Sequence, residues 1–506
     1  MSQIRRQSII STVFVYVGFF IGFINTYLFT KQGYFTESQY GITQVFLVVG
    51  NIMFAFANMG MLSTVYKFYP YYKDNLPKKK NDLLTWAMVL SLVGFVIVVI
   101  MGILLKDLVT RKFGERSPEF VQYYFWVFPF GFSILIYSLL EVFAWNVRKS
   151  IITNFLREVL FRLLTTVIII LFVFKVITTY DVFIKFYAIS YGIIALVLLT
   201  YLIYKKELYL NFTVSHVTRR FYKKIKALAT LVYFGGIVLM IGQYIDVLVI
   251  MSLVGTKAVG IFTLGMVVAG LVQAPQRGAV AASTPVLSQA WKDKDYEKIK
   301  LIYQRSGINL LIASLGIFLI IWLSYADAIN TFHLKPAYLD SRWIFFFLGL
   351  ARIVDLGTGV NSTIIGTSIY WRFEFISGVI LLALAIPLNY FLVKNFGIIG
   401  AGYSYLIAFT VYNIIRLIFL ARKFNMHPFS IKTIYSIISA LACYVVCYYC
   451  FLNIHGLIGI VMKSTAFILL FGSAVIHFDL TPDIKPVWSS MKSRVVRKKG
   501  GADGIK

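Results

Sequence analysis

The sequence predicts an all-α polytopic membrane protein of about fourteen transmembrane helices, with two six-helix lobes in a parallel pseudo-repeat and two further C-terminal helices. Three observations predict it. Hydrophobic residues make up 59% of the 506, and the mean hydropathy is +0.79, outside what soluble domains of this length show. Apolar runs long enough to cross a bilayer, about 20 residues each, recur along the whole chain. Finally, Ile24 to Asp74 aligns with Gln243 to Asp293 at a constant shift, so that Gly41 meets Gly260, Asn58 meets Arg277 and Asp74 meets Asp293.

In order, the first lobe (1–204) reads as spans 8–30, 39–66, 82–105, 119–146, 153–177 and 181–204. A basic linker, 205–226, separates it from the second lobe (227–424), with spans 227–252, 256–288, 303–326, 338–365, 371–393 and 397–421. Six is an even number, so both lobes enter the membrane from the same side. The segment 425–479 carries the extra spans 431–452 and 456–477, and 480–506 is a basic tail. Residues 9–29 form a full-length span with no small-residue cleavage site after it, so no cleavable signal peptide is expected.

The net charge is +28, but the basic residues lie in short loops between spans rather than on a surface for nucleic acid. There they set topology and meet anionic lipid headgroups. With Arg5 and Arg6 inside, roughly 34 basic residues fall in cytoplasmic segments and about 11 outside, which predicts that both termini are cytoplasmic. The loop from Lys106 to Pro118 is the main exception. No external loop exceeds about 15 residues, so there is no platform for the carboxylate or His/Asp grouping of a membrane glycan polymerase or glycosyltransferase. Cys443, Cys447 and Cys450 recur on one face of a span, as packing residues do, and the five histidines form no catalytic grouping.

The informative residues are polar ones within spans. Gln44, Asn51 and Asn58 recur every seven residues and form one stripe; at the corresponding positions of the second half stand Thr263, Gly270 and Arg277, with Gln273 and Gln276 beside them. Facing lipid, such amides would be unsatisfied, so the stripe should face a water-filled cavity or a neighbouring helix. Asn25 in the first span belongs to the same candidate cavity set. Asp246, with Gln243 one turn before it, is either an ion-coupling site or an ion-pair partner of Arg277. Pro275 and Pro285 bracket Arg277 and should kink its helix. Arg352 and Asp355, at i, i+3, are expected to neutralise each other, as are Glu158 and Arg162 at i, i+4, with Glu141 joining Arg162.

Residues 385–416 read AIPLNYFLVKNFGIIGAGYSYLIAFTVYNIIR. Asn389, Gly397, Gly400 and Ala401 match a signature near the C-terminal end of the polysaccharide flippases, a family of the multidrug/oligosaccharidyl-lipid/polysaccharide exporter superfamily. The usual proline before the glycine is replaced by Lys394-Asn395-Phe396. YGI at 40–42, echoed by VGI at 259–261, resembles that family's repeated turn into the second and eighth spans. With fourteen spans and a 6+6 repeat, the resemblance covers essentially the whole chain. It implies a V-shaped pair of lobes around a cavity built from spans 1, 2, 7 and 8. It also implies a cargo of polyprenyl-diphosphate-linked oligosaccharide, turned from the inner to the outer leaflet of the bacterial inner membrane. Such a protein would act in polysaccharide biosynthesis, lipopolysaccharide included, as a monomer beside the assembly machinery, without a cofactor and with Na⁺ or H⁺ as the coupling ion. The alternative is a multidrug or cation antiporter of the same superfamily, in which Asp246 and Asp355 would be coupling carboxylates. The arginine in register with the amide stripe disfavours a cationic cargo.

Overall fold

The computed structural model describes residues 3–483, and side chains from Ile10 onward except Thr12. The Arg5 and Arg6 side chains and the tail beyond Asp483 therefore lie outside the described residues. Those residues form an all-helical membrane protein. Twelve helices are individually long and apolar enough to cross a bilayer, and the pair Pro336–Gly357 and Asn361–Thr367, bent by 49°, makes a thirteenth span. The expected fifth span is the run from Ser150 to Val173, helical throughout but interrupted by a π-helical segment at Phe155–Leu160, so that neither flanking α-helix is long enough alone. The chain divides into two compact units, Met1–Thr263 and Leu264–Lys506, the boundary falling inside the helix Thr256–Lys292.

In the first unit, Val127–Asn146 packs against Tyr180–Tyr204 and Glu37–Ala57. Its core is aromatic: Phe130 stacks on Tyr187 at 5.5 Å, and Phe161 meets Tyr191 at 4.7 Å. The Glu37–Ala57 helix starts at a capping box, in which the Thr36 hydroxyl accepts from Gln39 N–H at 3.1 Å and the Gln39 amide oxygen accepts from Thr36 N–H at 2.8 Å. One turn in, Gly41 faces Gly260 on Thr256–Lys292. A Cβ on Gly41 would sit 2.1 Å from the Thr256 carbonyl oxygen, and one on Gly260 would sit 2.3 Å from that of Glu37. The two glycines that the repeat aligns are thus the two that let these helices cross backbone to backbone.

Charged pairs tie the remaining helices together, with two departures from expectation. Glu158 and Arg162 pair at 3.0 Å, and Arg162 also donates to the Gly18 carbonyl. Glu141 pairs with Arg157 at 3.2 Å and not with Arg162, because the π-helical segment turns Arg157 toward Val127–Asn146. The second half of the linker is helical: Ser215 caps His216–Leu253 by accepting from Thr218 N–H at 3.2 Å, so Arg219 to Lys226 form its first turns. Asp82, fully buried, accepts from Ser215 N–H at 2.9 Å and from the Thr218 hydroxyl at 2.7 Å. Tyr72 bonds that hydroxyl at 2.9 Å, and burial, reinforced by the Asp82 charge, pushes its phenol up to about 12.

In the second unit, Tyr296–Thr331 packs against Ser341–Gly357 and against both extra helices, Ile431–Cys450 and Gly456–His477. The buried Lys463 reaches Asp327 at 2.6 Å, and His455 Nδ1 lies 3.1 Å from the other carboxylate oxygen. Of the three cysteines, Cys447 is buried and Cys450 is exposed at its helix end. Trp371–Phe396 and Ile398–Phe424 form a tight corner. Gly397 between them has φ +63° and ψ −145°, open to glycine alone, and a Cβ on Gly400 would stand 2.1 Å from the Leu392 carbonyl oxygen. Asn389 and Ala401 are fully buried beside it.

Close helix crossing at the paired glycines predicts that Gly260→Val lowers stability by about 1–3 kcal/mol through overpacking. Gly236 on His216–Leu253 has nothing within 4 Å of a Cβ, so Gly236→Ala should raise stability by about 0.5–1 kcal/mol. Thermal melting in detergent measures both; equal midpoints for the two variants would contradict the crossing.

Candidate functional site

About three fifths of span 2 is buried; Gln44, Leu47, Asn51, Phe54 and Asn58 are half-buried, as are Val49 and Ile52, and Phe56 is exposed. Gln44, Leu47, Asn51, Phe54 and Asn58 follow the helical repeat, so the polar stripe lies along one partly accessible face of the helix. Along it the amides are partly occupied by backbone. Asn51 donates to the Leu47 carbonyl at 2.6 Å, and the Gln44 amide nitrogen lies 3.4 Å from the Thr43 hydroxyl. Asn58 caps the helix: its amide donates to the Ala55 carbonyl at 3.0 Å and its side-chain oxygen accepts from Gly60 N–H at 2.9 Å. The helix stops there and resumes at Met61, whereas the aligned helix Thr256–Lys292 runs unbroken through Pro275 and Pro285. Asn25 is buried and joins the first span to the fifth, donating to the Arg162 carbonyl at 2.9 Å and accepting from Thr166 at 2.6 Å. On His216–Leu253, Asp246 is half-buried and Gln243 exposed.

In the second unit Arg277 is exposed within an apolar helix, and Cβ atoms added at Gly270 and Gly278 would meet nothing within 4 Å. The face bearing this guanidinium is therefore open. Gln276 beside it turns inward. Its amide donates to Asp355 at 3.0 Å and accepts from Gln273 at 2.8 Å.

Asp355 sits just before the bend in span 10, and it is the centre of a polar cluster. Asn413 donates to its second oxygen at 3.1 Å. Thr358, within the break, lies 2.9 Å from the Asn413 side-chain oxygen, and Asn361 donates to that oxygen at 2.9 Å. Arg416 extends the chain, within 3.5 Å of Asn361, in an ion pair with Glu374 and stacked over Tyr412 at 3.7 Å. Ser362 donates to the same Glu374 oxygen at 2.8 Å. Broken helices in membranes are tolerated where protein satisfies the freed groups, and ion sites are built there. This arrangement offers one carboxylate and several amide and hydroxyl oxygens, suited to a proton or a monovalent cation. Among the described residues, no group of three His, Cys, Asp or Glu could hold a metal ion.

The expected Arg352–Asp355 pair does not form. Arg352 lies over the rings of Tyr405 and Phe409, at 5.0 and 5.4 Å, and Asp355 faces Gln276 and Asn413 instead. Spacing of i, i+3 put both on one helix but could not reveal that amides from two other helices reach the carboxylate first. Asn361, Glu374, Asn413 and Arg416 were absent from the expected site. The signal was present, since Glu374 and Arg416 are charges within or at the edge of apolar runs.

A family model described as MatE matches residues 232–391. The structure is similar to that of the lipid II flippase MurJ in an inward closed conformation, with a TM-score of 0.71 at 17% identity, covering 93% of this chain and 99% of that one. It is also similar to a multidrug resistance MATE family transporter of the MOP superfamily, inward-facing at 0.56 and outward-facing at 0.53. Those two are 18% and 16% identical and cover 80% and 82% of this chain and 94% and 95% of their own. The fold is that of the MOP-superfamily transporters. No curated protein matches the chain by sequence. The four residues of the flippase-like signature lie at the corner between Trp371–Phe396 and Ile398–Phe424. They sit at or beside a helix turn.

Arg416 is almost fully buried and Glu374 only partly. Arg416→Met or Glu374→Met alone should each cost about 3–5 kcal/mol by stranding the other charge, and the double variant should recover most of it. Melting midpoints of the three variants in detergent check this; additive losses would show that the charges do not act as a pair.

Proposed function

We propose that the chain is a flippase that moves a polyprenyl-diphosphate-linked oligosaccharide from the inner to the outer leaflet of the bacterial inner membrane by alternating access. The observation that carries this reading is the exposed Arg277, mid-helix in an apolar span and on an open face. A guanidinium keeps its charge at any accessible pH and grips a phosphate through two parallel hydrogen bonds. A potential negative inside drives an anion outward by ~2.3 kcal/mol per charge per 100 mV. The extent of the structural likeness supports the same reading: it spans 93% of the chain with the lipid II flippase, against about 80% with the multidrug transporters. In this reading the amide stripe of Gln44, Asn51 and Asn58 contributes to the cargo path, the protein acts as a monomer beside the polysaccharide assembly machinery, and both termini are cytoplasmic. Turnover couples to Na⁺ or H⁺ at Asp355 or Asp246.

The second reading is a multidrug antiporter. Its support is the MatE match across 232–391 and the buried carboxylate of Asp355, a suitable counter-ion or proton carrier for a cationic cargo.

Surface glycan in a flippase-null strain, normalised to folded protein in the inner membrane, separates the two. Arg277→Ala should abolish export and Arg277→Lys should retain part of it, both at normal abundance. Drug resistance conferred on a sensitive strain, with no rescue of surface glycan, would replace the flippase with the antiporter. Asp355→Asn should keep the protein folded, since the amide oxygen still accepts from one of Gln276 and Asn413 and the other can turn its own oxygen toward the new NH2 group. Loss of the ion dependence of transport in that variant is the expected result, and unchanged dependence would remove Asp355 from coupling.

A further inference from the structure

Between the Met61–Asn75, Leu83–Leu104 and His216–Leu253 helices lies a cavity of about 620 Å³, separate from both candidate sites and lined wholly by the first unit. Two sets of contacts hold its walls. At one end, the buried Asp82 binds Ser215 and Thr218, and Tyr72 joins them. At the other, Tyr233 donates to the Phe56 carbonyl at 3.1 Å, and the Ala229 carbonyl oxygen packs against Gly60. The lining is apolar, with Met61, Leu83, Leu90, Ile225 and Phe234. Two exceptions matter. Trp86 contributes its indole, whose N–H is itself enclosed by protein, and Lys226 contributes an exposed ammonium.

An apolar chamber with one cation at its wall is matched to an amphipathic anion with a hydrocarbon chain. The outside of the same helix carries Arg219, Arg220, Lys223 and Lys224, all exposed. A row of cations on the first turns of a membrane helix attracts anionic headgroups. The expected topology puts these turns at the cytoplasmic surface, level with the inner leaflet. The volume lies within the ~300–1,000 Å³ of ordinary ligand pockets, room for a single chain and not for a whole lipid-linked oligosaccharide.

We propose that this cavity is a binding site for an anionic phospholipid of the inner leaflet, one acyl chain inside beside Trp86 and its phosphate on Lys226. Bound there, the lipid spans the start of His216–Leu253 and the break in span 2, and so braces the helices on either side. The site does not depend on what the transporter carries.

The test uses full-length protein in detergent, equilibrated with vesicles of equal phosphatidylglycerol and phosphatidylcholine, and native mass spectrometry of the complex. Wild type should retain one phosphatidylglycerol per chain, and Lys226→Gln should lose preference for it over phosphatidylcholine by about fivefold. Thr230→Trp and Ala87→Leu both fill the cavity and should release the lipid whatever its headgroup. Dibrominated phosphatidylglycerol should quench the part of the tryptophan emission that Trp86→Phe removes. Equal retention of the two lipids by wild type, undiminished retention in both filled variants, no Trp86-dependent quenching, or a second copy of the chain in place of lipid would each overturn the proposal.

Discussion

A polar group inside a bilayer has no water to turn to, and nearly everything particular about this fold follows from that constraint. Several ionisable residues within the spans are met by a partner on another helix. Lys463 meets Asp327, Glu141 meets Arg157, and Arg416 meets Glu374. These pairs join different helices, across 136, 16 and 42 residues of sequence, and so also position them. The extra helix Gly456–His477 is held to Tyr296–Thr331 in this way, which makes it part of the second unit's packing.

The same constraint explains where the chain can afford irregular backbone. Span 10 bends at Thr358–Val360, where the freed groups fall among Asp355, Asn361 and Asn413, and span 2 breaks where Asn58 caps it. Positions that the sequence aligns between the two halves therefore differ in physical character. In the first half the position became an asparagine that stops a helix. In the second it became an arginine carried by a helix that continues past two prolines.

The flippase-like signature illustrates how a sequence motif can be specific to a fold and silent about cargo. Gly397 adopts a backbone conformation closed to other residues, Gly400 admits the Leu392 carbonyl, and Asn389 and Ala401 fill the space behind. Any transporter needing that corner is free to keep those residues whatever it moves.

Much was legible in the amino-acid sequence alone. The apolar runs determined the all-helical membrane class and the order of the spans, because crossing hydrocarbon imposes a length and a composition readable locally. The constant shift between halves even paired Gly41 with Gly260, the two residues that touch. Partners were not legible. Asp355 was matched with Arg352 because spacing within a helix is all that sequence displays, whereas its amides come from Thr256–Lys292 and Ile398–Phe424. Glu141 was matched with Arg162 because a regular helix was assumed where a π-helical turn brings Arg157 round. Hydrophobic burial along a span depends on each residue by itself, while a hydrogen bond or ion pair depends on two atoms meeting within about 3 Å. Only the packing of distant helices decides which two those are.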